Sequence, residues 1–455
     1  MSGSCPRGMS VRGKRNDTFT LEDGAKIAVI GGGPTGSFFS IFALKMARML
    51  GQELNITIYE PKDFTRTGPA GCNRCGGIVS ELLLQTLAVE GINLPDSVVR
   101  KGINSYRLHT NHGSVSIATP AFDKTIATVS RGGGPMGSAG GDKESFDLFL
   151  LNQAIAAGAV RKPILIDRID HRTSRPVLYS QGQEEMEVDL VVGAFGVNSA
   201  TAKLVEDNGF GYKAPPVVTA AIAEIGMSEA AVSRQFGNAI QLFLLPDKGI
   251  KFAAMIPKGT YVTLCILGSG VNAQTVATFL EKPVVRAVLP KDEPYKVACR
   301  CMPKMNVGAP KRPYADRMVM CGDAGSTRLF KDGLGAAYLM GKAAAKTVVF
   351  HGVSARDFKK GYLPIYTSII RDNYYGRYLY TITDVYRKNG FLTRGMLDLV
   401  RTEQGRSSDE RILSSILWDM FTGNERYRSI LPRALSVRMH LDLWKAFAGL
   451  MVGVE

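Results

Sequence analysis

The stretch Ile27-Ala28-Val29-Ile30-Gly31-Gly32-Gly33-Pro34-Thr35-Gly36 decides the fold of this chain of 455 residues. Its apolar half predicts a buried parallel strand, and the glycines predict a tight turn into a helix over residues 35–50. In such a turn, Gly31 allows a sharp reversal, Gly33 allows close approach to a pyrophosphate, and Gly36 allows close helix packing. The helix would direct its N-terminal amides and positive dipole end at the phosphates.

A second strand supports a nucleotide-binding interpretation. Asn55-Ile56-Thr57-Ile58-Tyr59-Glu60 follows the predicted helix and ends in an acid. In strand–helix–strand units that bind nucleotides, a carboxylate at about this distance accepts hydrogen bonds from ribose hydroxyls, and Glu60 is the candidate. A glycine-rich turn without a ligand is the alternative. We favour binding because strand, turn, helix, strand and acid occur in the required order.

A second glycine motif occurs far downstream, in Arg317-Met318-Val319-Met320-Cys321-Gly322-Asp323-Ala324. An apolar strand that ends in Gly-Asp-Ala would place Asp323 near a ribityl hydroxyl or the pyrophosphate of the same long cofactor. The following Lys331-Asp332-Gly333-Leu334-Gly335 predicts a helix start whose amides face a flavin and stabilise negative charge on it. The two motifs together predict FAD. The alternative is that Asp323 only caps the turn that follows it.

The composition limits the classes of protein to which the chain can belong. With 45% hydrophobic residues and a mean hydropathy of zero, the chain is expected to be globular. The sequence contains no apolar run of about 18 residues, so no membrane span is predicted. The N-terminus is polar and basic and does not resemble a secretory signal, so we expect a cytoplasmic protein, at most peripheral on the inner membrane surface.

The charge points to an anionic partner. The formal net charge is +15 at pH 7, and basic proteins favour nucleic acid, anionic membranes or acidic ligands. Since no nucleic-acid motif occurs, we expect no nucleic acid and favour an anionic membrane surface or a phosphorylated lipid. An ordinary basic surface is the alternative. The oligomeric state is not predicted.

The order of elements predicts an α/β fold with a discontinuous nucleotide-binding domain, an inserted β-rich substrate domain and a helical C-terminal region. Short alternating segments and four longer strand-like segments predict that the inserted sheet is antiparallel. The predicted boundaries are 1–24 for a disordered basic tail; 25–104, 140–215 and 306–350 for the FAD-binding domain; 105–139 and 216–305 for the β-rich domain; and 351–455 for the helical region.

The sequence resembles the para-hydroxybenzoate-hydroxylase-like flavoproteins, and most closely their geranylgeranyl reductase branch, from about Lys26 to Val349. The resemblance implies a Rossmann-like FAD-binding domain of the glutathione-reductase type. It also implies hydride transfer from reduced flavin to a carbon–carbon double bond of a hydrophobic, isoprenoid-like substrate. The segments that carry the resemblance are Gly31 to Gly36, Cys75-Gly76-Gly77-Ile78-Val79-Ser80, Met255-Ile256-Pro257-Lys258-Gly259 and Gly322-Asp323-Ala324, and Asp189 to Ser199 is similar to the family's middle signature.

Two departures from the family pattern matter. The middle signature usually has an Asp where this chain has Phe195. Because that acid helps cofactor binding and nicotinamide traffic in hydroxylases, NAD(P)H-dependent hydroxylation is less favoured. A glycine-rich loop from Arg131 to Gly141 also precedes Glu144-Ser145-Phe146-Asp147, where reductases carry an Arg-x-x-Phe-Asp helix start. The resemblance identifies Arg131 as that arginine, displaced by the loop and near FAD.

The predicted site has a cofactor part and a substrate part. By resemblance, Cys75 lies near the flavin, where it is the candidate catalytic residue, as a proton donor or as a wall of the substrate channel. NAD(P)H or ferredoxin is the expected reductant. The predicted cofactor-binding residues are Gly31, Gly33, Pro34, Thr35, Gly36, Glu60, Arg131, Gly322, Asp323, Gly333, Leu334 and Gly335.

The cysteines also permit a metal site. Cys72 and Cys75 form a C-x-x-C pair, and Cys299 and Cys301 form a C-x-C pair. The strand that carries the second pair is expected to return towards the flavin. We therefore predict one four-thiolate site for zinc or an iron–sulfur cluster. The alternative is small apolar cysteines without a metal.

Two rival functions and one surface helix remain open. The chain could be a flavin monooxygenase of the same fold, or a flavin-binding electron-transfer protein or carrier of lipidated partners without its own substrate turnover. Near the C-terminus, Leu435, Met439, Leu443 and Phe447 recur at helical spacing, with Arg438 and Lys445 between them. This pattern indicates either a helix in contact with a membrane or an ordinary helix packed on the core.

Overall fold

The computed structural model describes residues 19–120, 125–137, 144–171, 174–181, 183–207 and 210–452. The strands are β1 (Ala25–Ile30), β2 (Leu54–Tyr59), β3 (Ile78–Val79), β4 (Val99–Ile103), β5 (Ser105–Thr110), β6 (Gly113–Ala118), β7 (Ile126–Val129), β8 (Val160–Lys162), β9 (Arg168–Asp170), β10 (Val177–Ser180), β11 (Gln183–Glu187), β12 (Leu190–Gly193), β13 (Val217–Gly226), β14 (Ala239–Phe243), β15 (Ile250–Pro257), β16 (Tyr261–Gly268), β17 (Lys296–Cys301), β18 (Lys304–Asn306), β19 (Tyr314–Ala315) and β20 (Met318–Met320). The helices are α1 (Pro34–Met49), α2 (Glu81–Val89), α3 (Phe146–Ala156), α4 (Thr201–Glu206), α5 (Glu229–Phe236), α6 (Thr275–Leu280), α7 (Pro283–Arg286), α8 (Gly333–Phe350), α9 (Ala355–Gly361), α10 (Leu363–Lys388), α11 (Gly390–Gln404), α12 (Ile412–Thr422), α13 (Tyr427–Ala434) and α14 (Val437–Val452).

The opening motif builds the centre of a six-stranded sheet, in the order β19-β20-β12-β1-β2-β8. β1 pairs in parallel with β2 and β12, so Ile30 lies between Tyr59 and Gly193. β20 extends the parallel pairing beside β12, and β19 runs antiparallel at the edge. Because parallel strands share one carboxyl edge, the segments that follow β1, β12 and β20 meet at the same side of the sheet.

Two helices from distant parts of the sequence pack together over this sheet. The rings of Phe38 and Phe42 on α1 make edge-to-face contacts with Tyr338 on α8, at centroid distances of 5.6 and 5.5 Å. Gly341 allows the close approach, because a methyl group there would lie 3.1 Å from the backbone nitrogen of Phe39 and the carbonyl oxygen of Thr35. The helix of the second glycine motif is therefore anchored on the helix of the first.

A second, eight-stranded sheet has the order β17-β13-β16-β15-β14-β5-β6, with β18 also paired to β13. The pairing is antiparallel except between β5 and β14, which run in parallel. One face of this sheet shares an apolar core with α5, α6 and α7, and the other shares one with helices of the C-terminal region. The predicted fold class, a Rossmann-like domain with an inserted antiparallel sheet and a helical C-terminal region, is confirmed.

The structure differs from the predicted elements in two places. Of the predicted tail, residues 1–18 lie outside the described residues, but residues 19–24 pack against the protein. Leu21 is buried, and the carbonyl oxygen of Phe19 accepts a 2.7 Å hydrogen bond from the backbone N–H of Val353. The helix predicted over residues 35–50 is shifted by one residue, because α1 spans Pro34–Met49. No helix within the described residues is both long enough and apolar enough to cross a bilayer.

Candidate functional site

The turn after β1 is closed so tightly that two of its glycines are required. Gly31 has a φ of +109°, and a methyl group on it would lie 2.5 Å from the carbonyl oxygen of Ala194. A methyl group on Gly36 would lie 2.0 Å from the carbonyl oxygen of Gly31. Gly36 does not line a cavity, so its predicted role as a packing residue fits the structure better than direct contact with a cofactor.

The N-terminus of α1 presents free amides to a cavity of about 550 Å³. The N-cap residue is Gly33, no side chain caps the helix, and Pro34 occupies the first turn, where the absence of an N–H costs nothing. Gly33, Pro34 and Thr35 all line the cavity. An uncapped helix N-terminus at a cavity wall is a ready anion site, and it suits a pyrophosphate.

Glu60 lies beside this turn, at the end of β2, and also lines the cavity. Its Oε2 accepts a 2.9 Å hydrogen bond from the Gly32 N–H, and its Oε1 accepts one of 2.9 Å from the Lys62 N–H. Burial raises the pKa of Glu60, while these two backbone bonds oppose the rise. Each carboxylate oxygen retains a further lone pair, so the group can still accept hydrogen bonds from sugar hydroxyls.

Arg131 lies at the same cavity wall, in an ion pair with Asp147. Its Nε donates to Asp147 Oδ2, and its Nη2 donates to Oδ1 at 3.0 Å. Asn73 Nδ2 donates to the same carboxylate at 2.5 Å, and Lys62 Nζ donates to Asn73 Oδ1 at 2.9 Å. Burial alone would lower the pKa of Arg131, but the Asp147 carboxylate raises it, so the guanidinium stays charged.

The first two glycines of the loop after Arg131 are tightly packed. A methyl group on Gly132 would lie 2.7 Å from the backbone of Cys72, and one on Gly133 would lie 2.1 Å from the carbonyl oxygen of Thr65. Beyond the loop, the Phe146 N–H donates to the Ser130 carbonyl oxygen at 2.9 Å. After the loop the chain therefore comes back beside Ser130, and Arg131 lies next to Asp147. Residues 138–143 lie outside the described residues.

The second glycine motif meets the first directly. Gly322 has a φ of +62°, and a methyl group there would lie 2.1 Å from Thr35 Oγ1. Gly322 packs but does not line the cavity, whereas Asp323, a half-buried residue, lines it. Burial raises the pKa of Asp323, and the Arg131 charge opposes the rise. The Asp is thus placed at the cavity wall close to the turn of the dinucleotide motif.

The N-terminus of α8 is partly used by the protein itself. Asp332, in the left-handed region with a φ of +53°, is the N-cap, and its Oδ1 accepts from the Gly335 N–H at 3.1 Å. Arg328 Nη1 also donates to the Asp332 carboxylate at 3.3 Å. Gly333 and Leu334 line the cavity but Gly335 does not. Of the three residues predicted to contact the cofactor at this helix start, Gly333 and Leu334 are the two that line the cavity.

The far end of the cavity has an apolar wall. The Cys75-Gly76 segment lies against this wall, because a methyl group on Gly76 would be 3.0 Å from Ile256 Cδ1 and 3.1 Å from Cys265 Sγ. Burial raises the pKa of the Cys265 thiol to about 12, so this thiol stays neutral. Phe195 also lines the cavity in place of the family's acid. Strands β13, β15 and β16 of the eight-stranded sheet contribute Ile222, Phe252, Ala254, Ile256, Cys265 and Leu267 to this wall, and β18 adds Lys304, Met305 and Asn306 to the lining of the cavity.

Sequence reasoning missed Lys331, a cation at this apolar end. Its Nζ lies 5.0 Å from the ring centroid of Phe252 and 5.7 Å from that of Phe421, and the residue lines the cavity. No described carboxylate forms an ion pair with it. Burial lowers the pKa of Lys331 to about 8. Its position next to the second glycine motif was visible in the sequence, but its burial depends on rings brought in by β15 and α12.

The predicted four-cysteine metal site is not formed. Cys72, Cys299 and Cys301 line a small separate cleft, while Cys75 lines the main cavity. In the cleft, Cys299 Sγ donates to Glu224 Oε2 at 3.2 Å, and burial raises the pKa of Cys299 to about 12. A thiol with this pKa is protonated at neutral pH. Across the described ranges, no group of three or more His, Cys, Asp or Glu side chains is arranged to hold a metal ion.

No protein-family model and no curated protein matches the sequence. Solved structures do match. The alignment with a geranylgeranyl bacteriochlorophyll reductase-like protein from Thermoplasma acidophilum has 15% identity and a TM-score of 0.62, and it covers 94% of this chain and 96% of that chain. The alignment with a flavoprotein/dehydrogenase from Cytophaga hutchinsonii has 15% identity and a TM-score of 0.64, and it covers 95% of this chain and 100% of that chain.

A third structure contains the cofactor that the motifs predict. It is halogenase PltM in complex with phloroglucinol and FAD, with 12% identity, a TM-score of 0.60 and coverage of 95% of this chain and 93% of that chain. At these identities, likeness over nearly the whole of both chains establishes the fold. This protein therefore has the fold shared by geranylgeranyl reductase-like proteins and flavin-dependent halogenases, in agreement with the resemblance in its motifs.

Proposed function

We propose that the protein is an FAD-dependent oxidoreductase that reduces carbon–carbon double bonds of a hydrophobic, isoprenoid- or lipid-like substrate. The observation that carries this proposal is one continuous cavity of about 550 Å³, lined at one end by the turn after β1 and at the other by the apolar wall of the eight-stranded sheet. Its size lies in the range of cofactor and ligand sites. Strands β13, β15 and β16 line the cavity with apolar side chains and Cys265, and Lys331 lies beside one of these, Phe252.

The residues of the cofactor end fit FAD. The uncapped amides of α1 suit the pyrophosphate, the Glu60 carboxylate suits the ribose, and the half-buried Asp323 carboxyl suits a ribityl hydroxyl. Gly333 and Leu334, at the start of α8, would lie towards the flavin ring. Arg131 supplies a fixed positive charge at the wall, held in place by Asp147.

The substrate end fits a hydrocarbon ligand. When bound and reduced, FAD would supply the hydride for a double bond. The wall of Ile222, Phe252 and Leu267 would hold the apolar chain and exclude water from it. Two side chains could deliver the accompanying proton: the Lys331 ammonium and the Cys75 thiol. We favour Lys331, because its lowered pKa of about 8 makes it a stronger acid than an ordinary lysine while it remains protonated at neutral pH.

A single-turnover reaction without oxygen tests the proposal. The FAD-loaded protein is reduced with dithionite, freed of excess reductant and mixed with geranylgeranyl diphosphate as the probe. We expect the flavin absorbance to return and the product to gain two hydrogens per reduced double bond by mass spectrometry. NAD(P)H and reduced ferredoxin are then compared as reductants, since the proposal requires that one of them reduce the flavin.

The monooxygenase alternative predicts a different result. Reduced protein would not be reoxidised by the probe without oxygen, and product formation would require oxygen and retain an oxygen atom. A flavin that accepts electrons but transfers none to any probe, with or without oxygen, would instead support an electron-transfer role. The apolar wall and the Lys331 ammonium, rather than a polar aromatic-binding pocket, are the reasons for placing the reductase first.

A further inference from the structure

The last helix of the described chain, α14, has two apolar faces, and only one of them packs against the protein. Met439 and Leu443 are buried, with 8% and 4% of their surface exposed. The Phe447 ring stacks on Phe391 of α11 at a centroid distance of 5.0 Å, and Gly395 leaves room for it. The stripe that the sequence suggested for membrane contact is therefore mostly an internal packing face.

The opposite face of α14 consists of large apolar side chains that touch solvent. We call Val437, Leu441, Trp444 and Met451 the outer face of α14; they are 76%, 55%, 67% and 66% exposed. Their spacing of four, three and seven residues places them on one side of the helix. Single exposed apolar residues are ordinary, but four in a row along one helix face form a patch of the kind that marks an interaction site.

The charges beside this patch are basic. Arg438 and Lys445 lie seven residues apart, so they follow the same flank of the outer face for two turns. Their ion pairs are long, at 3.6 Å from Arg438 to Glu410 and 3.8 Å from Lys445 to Asp442, and both side chains are more than half exposed. Arg426 and Arg428, close by in the sequence, are also exposed. The chain as a whole carries a formal net charge of +15.

We propose that the outer face of α14 docks the protein onto an anionic lipid surface. A helix with one apolar stripe, an indole within it and cationic side chains along its edge matches the chemistry of the headgroup region. A second copy of the chain fits less well, because a symmetric contact through this face would bring two sets of Arg438 and Lys445 together. This proposal is independent of the reaction assigned to the cavity.

The two tryptophans of the chain provide a direct probe. Trp418 is buried, with 1% exposed, and Trp444 is on the outer face, with 67% exposed. In the full-length protein with Trp418 replaced by Phe, the emission reports Trp444 alone. Vesicles of phosphatidylcholine with phosphatidylglycerol are expected to shift this emission to the blue at low salt. Vesicles of phosphatidylcholine alone, or high salt, are expected to reduce the shift because charge attraction is screened or absent.

Variants separate the outer face from general surface hydrophobicity. Leu441→Ser with Val437→Ser is expected to reduce binding in vesicle flotation at least as strongly as Lys445→Gln, which should weaken it about fivefold through the loss of one basic residue. Met49→Ser and Val89→Ser are matched controls, because Met49 and Val89 are 80% and 88% exposed on other helices. Circular dichroism establishes that every variant is folded.

Three results would overturn the proposal. Absence of flotation by the unmodified protein with anionic vesicles at low salt is the first. The second is loss of binding in the Met49 and Val89 controls equal to that of the Leu441 and Val437 variant. The third is a lipid-free dimer, seen by analytical ultracentrifugation, that the Leu441 and Val437 substitutions dissociate, which would assign the outer face to a second copy of the chain.

Discussion

Gly322 lies directly against Thr35, so the two glycine motifs, distant in sequence, form one wall of the candidate site. The space between them is closed: a methyl group at position 322 would lie 2.1 Å from Thr35 Oγ1. Gly322 also has a φ of +62°, which disfavours other residues. This contact sets the place of Asp323 relative to the N-terminus of α1, and in the proposed FAD complex it would set the place of the flavin relative to the pyrophosphate.

Gly322→Ala should therefore damage both stability and cofactor binding. The added methyl group requires movement of Thr35 and strains the backbone, which should lower the free energy of unfolding by about 1–3 kcal/mol. FAD content after gel filtration should fall with it. Gly102→Ala is the control, because Gly102 has no atom within 4 Å of an added methyl group. Equal FAD content in the two variants would show that the Thr35–Gly322 contact does not shape the site.

Glu60→Gln should weaken FAD binding about tenfold, because an amide replaces a charged acceptor of hydrogen bonds. One of the backbone donors, Gly32 or Lys62, would then face an NH₂ group instead of an oxygen. The measurement is the dissociation constant for FAD, by quenching of flavin fluorescence. Glu53→Gln, at an exposed position, should leave the constant unchanged. An unchanged constant in Glu60→Gln would remove this residue from the site.

The Arg131–Asp147 pair should act as a unit. Asp147→Asn leaves a buried guanidinium without its carboxylate and should lower the free energy of unfolding by about 3 kcal/mol. Arg131→Gln leaves the opposite charge and should cost a similar amount. In the double variant the two losses of unfolding free energy should not add. A double-mutant cycle in urea unfolding should therefore give a coupling free energy above about 1 kcal/mol. Additive costs would mean that the pair contributes no mutual stabilisation.

Lys331 should lower the free energy of unfolding at neutral pH, so this residue destabilises the fold instead of stabilising it. Its pKa is lowered by burial to about 8, so between about pH 8 and its ordinary value the unfolded chain binds more protons than the folded one. Stability should therefore rise with pH across that window. Lys331→Met should raise the free energy of unfolding at pH 7 by about 3 kcal/mol, since one pKa unit equals about 1.4 kcal/mol.

The same variant should slow substrate reduction if the lysine donates the proton. In single turnover, the rate should fall as pH rises above about 8 in the unmodified protein, and this dependence should vanish in Lys331→Met. Lys248→Met, at an exposed lysine, is the control. A pH dependence that persists in Lys331→Met and vanishes in Cys75→Ser would assign the proton to the cysteine.

The local geometry of the first glycine turn could be predicted from the sequence because that part of the fold is local. β1, its glycine turn, α1 and β2 form one continuous unit, and the requirements of Gly31, Gly36 and Glu60 follow from its geometry. The sequence did not reveal that the N–H of Gly335 already has an acceptor, the side chain of the neighbouring Asp332. A short-range hydrogen bond of that kind competes with a ligand and depends on the left-handed conformation of Asp332.

The parts that depend on distant packing could not be predicted. Lys331 becomes a half-buried cation only because Phe252 and Phe421 come from other elements. Cysteine spacing indicated a four-thiolate site, but Cys75 lines a different cavity from Cys72. On α14, two apolar stripes have the same periodicity. Nothing in the spacing shows that Met439 is buried and Leu441 is exposed.

The most direct test of the central claim is the visible absorption spectrum of the purified protein after incubation with FAD and gel filtration. The account predicts a two-banded flavin spectrum with one FAD per chain, released on denaturation and identified by mass. It also predicts that geranylgeranyl diphosphate perturbs these bands, because both ligands would occupy one cavity. A colourless protein that retains no FAD would contradict the account.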